Sequence, residues 1–343
     1  MNKLRFLHLA VFMLIPFLSF AKAADGDSDS ALKSEISGIY SSISAAKSKK
    51  EKKTLTELLA GKLAEDKQYE EAEKTYKNLL DAKPSKKKSF EYYTKLGDIA
   101  GLKKDFALSL DYYGKAKSLY KKNAGINLKI GDILLASNLY NLAEKSFLEA
   151  LYADKNSNYA KKRLGDVYFQ RGLYSKAIEY YEQIDNIENK GLVANMAVSY
   201  RNISETDKAL KLVGEYLLKS EDAEIFFLSG LLHLDKKNYD LAERDFLKSV
   251  ELNDQNFAPY IHLALIYYDA GDYKQAKFYI DKAYVLNQSF AATDLLNAEI
   301  SYKMKRVYEA RRYAHNAFTK AKTPFMKENA QKLMSLLKET KTK

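Results

Sequence analysis

Residues 93–120 read YTKLGDIAGLKKDFALSLDYYGKAKSLY and residues 127–154 read NLKIGDILLASNLYNLAEKSFLEALYAD. Laid over one another 34 residues apart, they set Gly97 on Gly131, Phe106 on Tyr140, Ser109 on Ala143, Tyr113 on Phe147 and Ala116 on Ala150. The small residue returns eight times, as Ala60, Gly97, Gly131, Gly165, Ala197, Gly230, Ala264 and Ala298. A slot that never carries more than a methyl group is where two helices pass closely. Twelve residues on, the slot is small again, with Ala72, Ser109, Ala143, Ala177, Ala209, Ala242, Ala276 and Ala310. One helical turn further along the same face stand Tyr76, Tyr113, Phe147, Tyr181, Val213, Phe246, Ile280 and Ala314, mostly bulky. Between the two small slots, polar residues followed by an aromatic mark a tight turn, as in Asp66 to Tyr69, Lys103 to Phe106 and Arg171 to Tyr174. Such a period means helical hairpins stacked into an all-α solenoid, each burying its apolar face against its neighbours.

The pattern resembles the tetratricopeptide repeat (TPR) family, whose units carry an aromatic, a Leu-Gly pair, an aromatic and alternating Ala and aromatic positions in fixed order. It is carried by Tyr93, Leu96, Gly97, Phe106, Ser109, Tyr113 and Ala116, and again by Leu164, Gly165, Tyr168, Tyr174, Ala177 and Tyr181. It covers residues 53 to 324, with repeats starting near 53, 90, 124, 158, 190, 223, 257 and 291. The resemblance implies a right-handed superhelix of eight hairpins, with the first helix of each lining the concave face. Two departures are local: Thr206 replaces the turn aromatic of the fifth repeat, and Tyr308 falls one residue late in the last.

At the N-terminus, Lys3 and Arg5 precede an apolar run from Phe6 to Phe20 and then Ala21-Lys22-Ala23, the pattern of an export signal over residues 1–23 with cleavage before Ala24. Export into a periplasm or cell envelope is therefore expected, the alternative being an uncleaved anchor. With no cysteine in the chain, neither disulfides nor a cysteine-linked lipid anchor is expected. Residues 24–52 hold an acidic linker and then Leu32, Ile36, Ile39, Ile43 and Ala46 on one helical face, either a cap on the first hairpin or a self-associating helix. Residues 325–343 supply a second amphipathic helix through Phe325, Met326, Ala330, Leu333, Leu336 and Leu337, a lid for the other end.

Removing residues 1–23 takes away Lys3, Arg5 and Lys22 and lowers the formal charge from +11 to +8. The excess gathers at Lys47, Lys49, Lys50, Lys52 and Lys53 and at Lys83, Lys86, Lys87 and Lys88. For an exported chain this points away from nucleic acid and toward a solvated lysine face, or toward an anionic envelope polymer as partner.

On the expected concave face, Lys95 with Asp98, Lys129 with Asp132, and Arg163 with Asp166 form cation–carboxylate pairs three residues apart, expected to satisfy one another. Family members that clamp a chaperone's C-terminal carboxylate need Asn, Lys and Arg where this chain has Asp166, Gly191 and Leu228, so that clamp is not expected. The later repeats instead present Phe227, Leu231 and Leu234, then Ile261, Leu265 and Tyr268, then Leu295 and Tyr302, with Arg201, Asn202 and Asp269 as a polar rim. Two readings follow: a protein or peptide segment laid in this groove, or closure of the groove by the C-terminal helix or a tighter superhelix.

Little points to chemistry. His233 falls at the family's aromatic slot and is expected in the core, while His262 and His315 lack metal-like or nucleophile-like neighbours. There is no His-Glu-x-x-His, Gly-x-Ser-x-Gly or glycine-rich phosphate loop. The expectation is a non-enzymatic scaffold or adaptor without cofactor or metal, the runner-up being a carbohydrate or anionic-polymer binder that uses the basic N-terminal region.

Overall fold

A computed structural model describes residues 28–185 and 187–339. The expected export signal, residues 1–23, lies outside the described residues. Among the described residues there are eighteen helices and no strand.

The chain divides into two units at Ile187/Glu188. In the first, α1 (Ser28–Ala45) precedes the hairpins α2 (Lys49–Glu65) with α3 (Tyr69–Asp81), α4 (Lys86–Leu102) with α5 (Phe106–Leu119), α6 (Ala124–Ala136) with α7 (Tyr140–Ala153), and α8 (Asn158–Gln170) with α9 (Tyr174–Tyr181). In the second, the hairpins are α10 (Lys190–Asn202) with α11 (Thr206–Leu217), α12 (Ala223–Asp235) with α13 (Tyr239–Leu252), α14 (Phe257–Asp269) with α15 (Tyr273–Leu286), and α16 (Ala291–Lys303) with α17 (Val307–Lys320). Helix α18 (Pro324–Glu339) closes the second unit.

Local sequence explains where these helices begin and turn. Ser48, Ser85, Asn123, Ser157, Asn189, Asp222 and Asn256 each accept a main-chain N–H from the first turn of the helix that they precede. Every hairpin turns through one left-handed residue: Lys67, Lys104, Asn138, Gly172, Ser204, Lys237, Gly271 and Lys305. The next residue's N–H then reaches back over the turn, as from Gln68 to the Leu63 carbonyl at 2.9 Å and from Leu139 to the Leu134 carbonyl at 2.8 Å. The hairpin containing Thr206 turns the same way, with Glu205 N–H on the Tyr200 carbonyl at 2.8 Å, and so does the last, with Arg306 on Ser301 at 2.9 Å. The helix stop sets the turn, and the aromatic after it is dispensable.

Within a hairpin the two small slots face each other and the bulky slot closes over them. A methyl placed on Gly97, Gly131, Gly165 or Gly230 would sit inside the ring of Tyr113, Phe147, Tyr181 or Phe246, respectively. Where the first slot is alanine, the partner shrinks in three hairpins of four: Ala197 with Val213, Ala264 with Ile280, and Ala298 with Ala314, all buried. The larger first slot is thus met by a smaller partner in these three, while Ala60 keeps Tyr76 opposite.

Both ends are capped. Ile36 and Ile39 of α1 are buried with Leu59 and Leu63 of α2, and the Tyr40 hydroxyl donates to Glu71 at 3.2 Å, so α1 lies on the first hairpin. Met326, Ala330, Leu333 and Leu337 of α18 join the core of the last hairpins, and Arg311 donates to the Leu337 carbonyl at 2.7 Å.

Replacing Gly165 by alanine should force the buried Tyr181 ring out of place and lower stability by about 1–3 kcal/mol. Gly114→Ala is the matched comparison, because that exposed helical glycine has nothing within 4 Å of a new Cβ. It should raise stability by about 0.5–1 kcal/mol. Denaturant midpoints of the two variants, moving in opposite directions, would check the crossing geometry.

Candidate interaction surface

In the first unit, the face formed by the first helices is a ladder of charge. Asp98 accepts from Lys129 at 2.7 Å and from the Tyr113 hydroxyl at 2.7 Å. Asp132 accepts from Arg163 Nε at 2.6 Å and from the Tyr159 hydroxyl at 2.8 Å. Asp166 accepts from Lys162 at 2.8 Å, Arg163 Nη1 at 3.1 Å and the Tyr181 hydroxyl at 2.8 Å. The expected pairing of Lys129 with Asp132 on one helix is thus corrected. Lys129 reaches back to the preceding hairpin, and Arg163 bridges both Asp132 and its own Asp166. Equivalent positions on stacked helices lie about 8–10 Å apart, a span that a long cationic side chain crosses. Burial and the Asp132 carboxylate push the Tyr159 phenol up to about 12, and burial with Asp98 pushes Tyr113 up as well. Each carboxylate is engaged, so this face is cross-linked structure.

The second unit is different in kind. Of the residues expected to line an open groove, Phe227 and Leu231 are 7% exposed, Ile261 0%, Leu265 4% and Leu295 1%. These five are buried, which corrects the expectation of an open apolar wall. Phe227 packs on the rings of Phe246 and His262, with centroids 5.8 and 5.6 Å away. Ile261, Leu265 and Leu295 belong to the core that also holds Ile280 and Leu296. The physical reason is legible in the helices themselves. Every residue from Ala258 to Leu265 in α14, and from Ala292 to Ser301 in α16, is buried. A helix buried on all sides has no solvent face to offer.

In α14 and α16 what remains accessible is mainly the last turn, and α12 ends in the same way. Leu234, Tyr268 and Tyr302 are half-buried, one per hairpin at equal register, beside the exposed Asn202, Asp269 and Lys303. Arg201 is held by Asp235, with Nη2 to Oδ1 at 2.9 Å, and the Asn202 amide donates to the Val198 carbonyl at 2.8 Å. Burial and the nearby Glu299 carboxylate raise the Tyr268 phenol, so it stays neutral and able to donate. Helix α18 packs on α16 and α17 as an end cap.

The remaining polar groups do not converge on a reaction centre. His233, expected in the core, is half-buried at its edge, Nε2 at 3.7 Å from Asp245 Oδ2, with its imidazole pushed down mainly by burial. His262, expected near the groove, is buried and stacked on Phe246 at 5.2 Å. Among the described residues no group of His, Cys, Asp and Glu is arranged to hold a metal ion, and no helix is long and apolar enough to cross a membrane.

Family models for the tetratricopeptide repeat match residues 128–189, 223–256 and 258–290. A TPR repeat-containing protein of Methanocaldococcus jannaschii is 26% identical over 279 residues, which is 70% of this chain and 48% of that protein. The chain spans about half, or less, of the length of the curated relatives that it matches. Among solved structures, a tetratricopeptide repeat protein from Parabacteroides merdae superposes with a TM-score of 0.56 at 17% identity, over 73% of this chain and 99% of that one. PilW, described as a widely conserved type IV pilus biogenesis factor, gives 0.53 at 17% identity, over 62% and 98%. At such identity the likeness is one of fold.

Replacing Asp132 by asparagine should remove the charge that both Arg163 and Tyr159 use. The expected loss is about 1–2 kcal/mol, since the group is partly buried and engages two donors. A denaturant midpoint indistinguishable from the parent would show that the ladder is ornamental.

Proposed function

We propose that this chain, a tetratricopeptide repeat protein, is a non-enzymatic scaffold or adaptor that is exported to the periplasm or cell envelope and holds a segment of another protein. The fold supports protein–protein interaction as the general role. The reading of export rests on the signal pattern of residues 1–23, and the reading of the docking face on one observation. Leu234, Tyr268 and Tyr302 recur at 34-residue intervals, each half-buried, at the ends of α12, α14 and α16, whose middle turns are buried. Rigid, partly seated aromatic and aliphatic groups in a row, with a polar rim, suit the apolar stripe of a partner helix or an extended segment. On this reading the chain acts by display, positioning its partner without altering it.

A second reading has its own support. Lys47, Lys49, Lys50 and Lys52 are exposed and make no ion pair among the described residues, so the start of the array could hold an anionic envelope polymer. Attachment through these lysines should weaken steeply with salt, whereas the row of Leu234, Tyr268 and Tyr302 should hold its partner at high ionic strength.

Photoreactive residues introduced at Tyr268 and Tyr302 in living cells should capture a common protein partner. The double variant Tyr268→Glu with Tyr302→Glu should recover at least about tenfold less of it, with an unchanged far-ultraviolet circular dichroism spectrum. Equal recovery by parent and double variant would refute the docking face.

A further inference from the structure

One slot of the repeat opens onto a cleft. Four residues before the small slot, hairpins two, six and seven carry an aromatic, Tyr93, Phe226 and Tyr260, whereas the other five carry Thr56, Asn127, Lys161, Val193 and Asp294, and of these Asn127 lines a cleft. An asparagine side chain is far smaller than a tyrosine ring, and at this site the difference is not filled. A cleft of about 900 Å³ opens with Asn127 among its lining residues, bounded by Lys121 and Lys122 of the loop before α6 and by one face of α7. That face presents Asn141, Lys145, Leu148 and Tyr152, spaced as one stripe of a helix.

Three features of the lining call for a ligand. Asn127 is 2% exposed, and its Oδ1 has no hydrogen-bond partner. A buried acceptor left unpaired costs free energy that a donor from a bound molecule would recover. Lys121, Lys122 and Lys145 make no ion pair among the described residues. The two carboxylates of the lining are already committed, Glu144 to Arg171 at 2.8 Å and to the Tyr168 hydroxyl at 2.6 Å, and Glu149 to Lys117. The cleft is therefore left with three uncompensated ammonium groups. Tyr152 is 81% exposed and Leu148 is exposed too, an unusual use of a tyrosine on a face that nothing else covers.

We infer that the cleft beside Asn127 binds a carboxylate-bearing saccharide, such as a short uronic acid oligomer. Its carboxylates would lie against Lys121, Lys122 and Lys145, its ring face on Tyr152 and Leu148, and a hydroxyl would donate to Asn127 Oδ1. A bare anion satisfies the lysines but brings no donor for the buried carboxamide, whereas a pyranose acid carries hydroxyls on the same ring as its charge. The volume falls in the range of small-molecule sites, about 300–1,000 Å³, so it accommodates sugar units and is larger than a single ion needs. The site is separate from the row of Leu234, Tyr268 and Tyr302, and from the lysines that precede the first hairpin, and stands whether or not either of those binds a partner.

Calorimetric titration of the full chain at low salt with tetragalacturonate, its methyl ester and polyaspartate of equal charge tests this. The acid should bind and weaken with added salt, and the ester should bind at least about tenfold more weakly. Tyr152→Ala and Lys145→Glu, both on exposed side chains, should each lower affinity for the acid about tenfold or more without altering the circular dichroism spectrum. Asn127→Leu should remove the buried acceptor, weaken binding of the acid and keep or raise the denaturant midpoint. No heat with the acid, equal binding of acid and ester, or variants that bind as the parent does would overturn the inference. Polyaspartate binding as tightly as the saccharide and indifferent to Tyr152→Ala would assign the lysines to acidic peptides and overturn it as well.

Discussion

The structure depends on a single repeated contact, the ring or branched side chain of the second helix seated on a residue of the first that has almost no side chain. Tyr113 on Gly97, Phe147 on Gly131, Tyr181 on Gly165 and Phe246 on Gly230 bring two helices to a separation that any larger residue would forbid. Where the first slot gains a methyl group, as in Ala197, Ala264 and Ala298, the partner loses its ring and is Val213, Ile280 or Ala314, with Ala60 opposite Tyr76 the exception. Because the match is between positions only sixteen residues apart, each hairpin carries its own packing instruction. Neighbouring hairpins then need only stack, and the array can be extended or divided without redesigning its units.

What is laid over that shared frame differs between the two units. In the first, Asp98, Asp132 and Asp166 receive cations and phenols from their own and adjacent hairpins, so the first helices are joined by hydrogen bonds to charged groups. In the second, α14 and α16 are buried on every side, and Lys190 and Arg201 of α10 pair with Asp222, Glu224 and Asp235 of the next hairpin. Polar cross-links thus occur in both units, and burial on all sides is added in the last two hairpins. Those hairpins, with the one before them, offer half-buried groups at the helix ends, at Leu234, Tyr268 and Tyr302.

Much of this was legible in the residues. The hairpins, their small slots and the apolar faces of α1 and α18 follow from spacing, because close helix crossings and apolar stripes leave a local, periodic trace, while the choice of a cap over a self-associating helix for α1 came from its packing on the first hairpin. The turn tolerated Thr206 because the stop is made by a left-handed residue, Ser204, and by main-chain hydrogen bonds that no side-chain pattern reports. Two readings failed for a shared reason. Register placed Lys129 and Asp132 on one face, but not which hairpin a flexible lysine would reach toward. It likewise placed Phe227, Ile261 and Leu295 on a face without revealing whether that face meets solvent. Periodicity encodes direction from a helix axis, and coverage depends on what lies beyond the next helix. The signal that could have warned of burial was present: α14 and α16 have no clean polar stripe, and a helix without one is rarely a surface helix.

In a repeat array the residues that break the period carry more information about function than those that keep it, since the period already accounts for the fold. The slot of Asn127 shows how to separate a structural break from a functional one. The same slot in the last hairpin holds Asp294, which is also buried and also polar. There the structure meets the charge from within: Lys320 of the paired helix α17 reaches Asp294 Oδ2 at 2.7 Å, although Oδ1 is left without a partner, as Asn127 Oδ1 is. Burial raises the Asp294 carboxyl while Lys320 opposes that shift, the expected balance for an internal ion pair that holds a hairpin together. At Asn127 no second side chain comes to meet the exception. The nearest cations line an open cleft and point to solvent, and the carboxylates beside them are engaged elsewhere. A polar break compensated from inside belongs to the architecture, and one that is left uncompensated beside unneutralised charge is where a molecule from outside has a reason to bind.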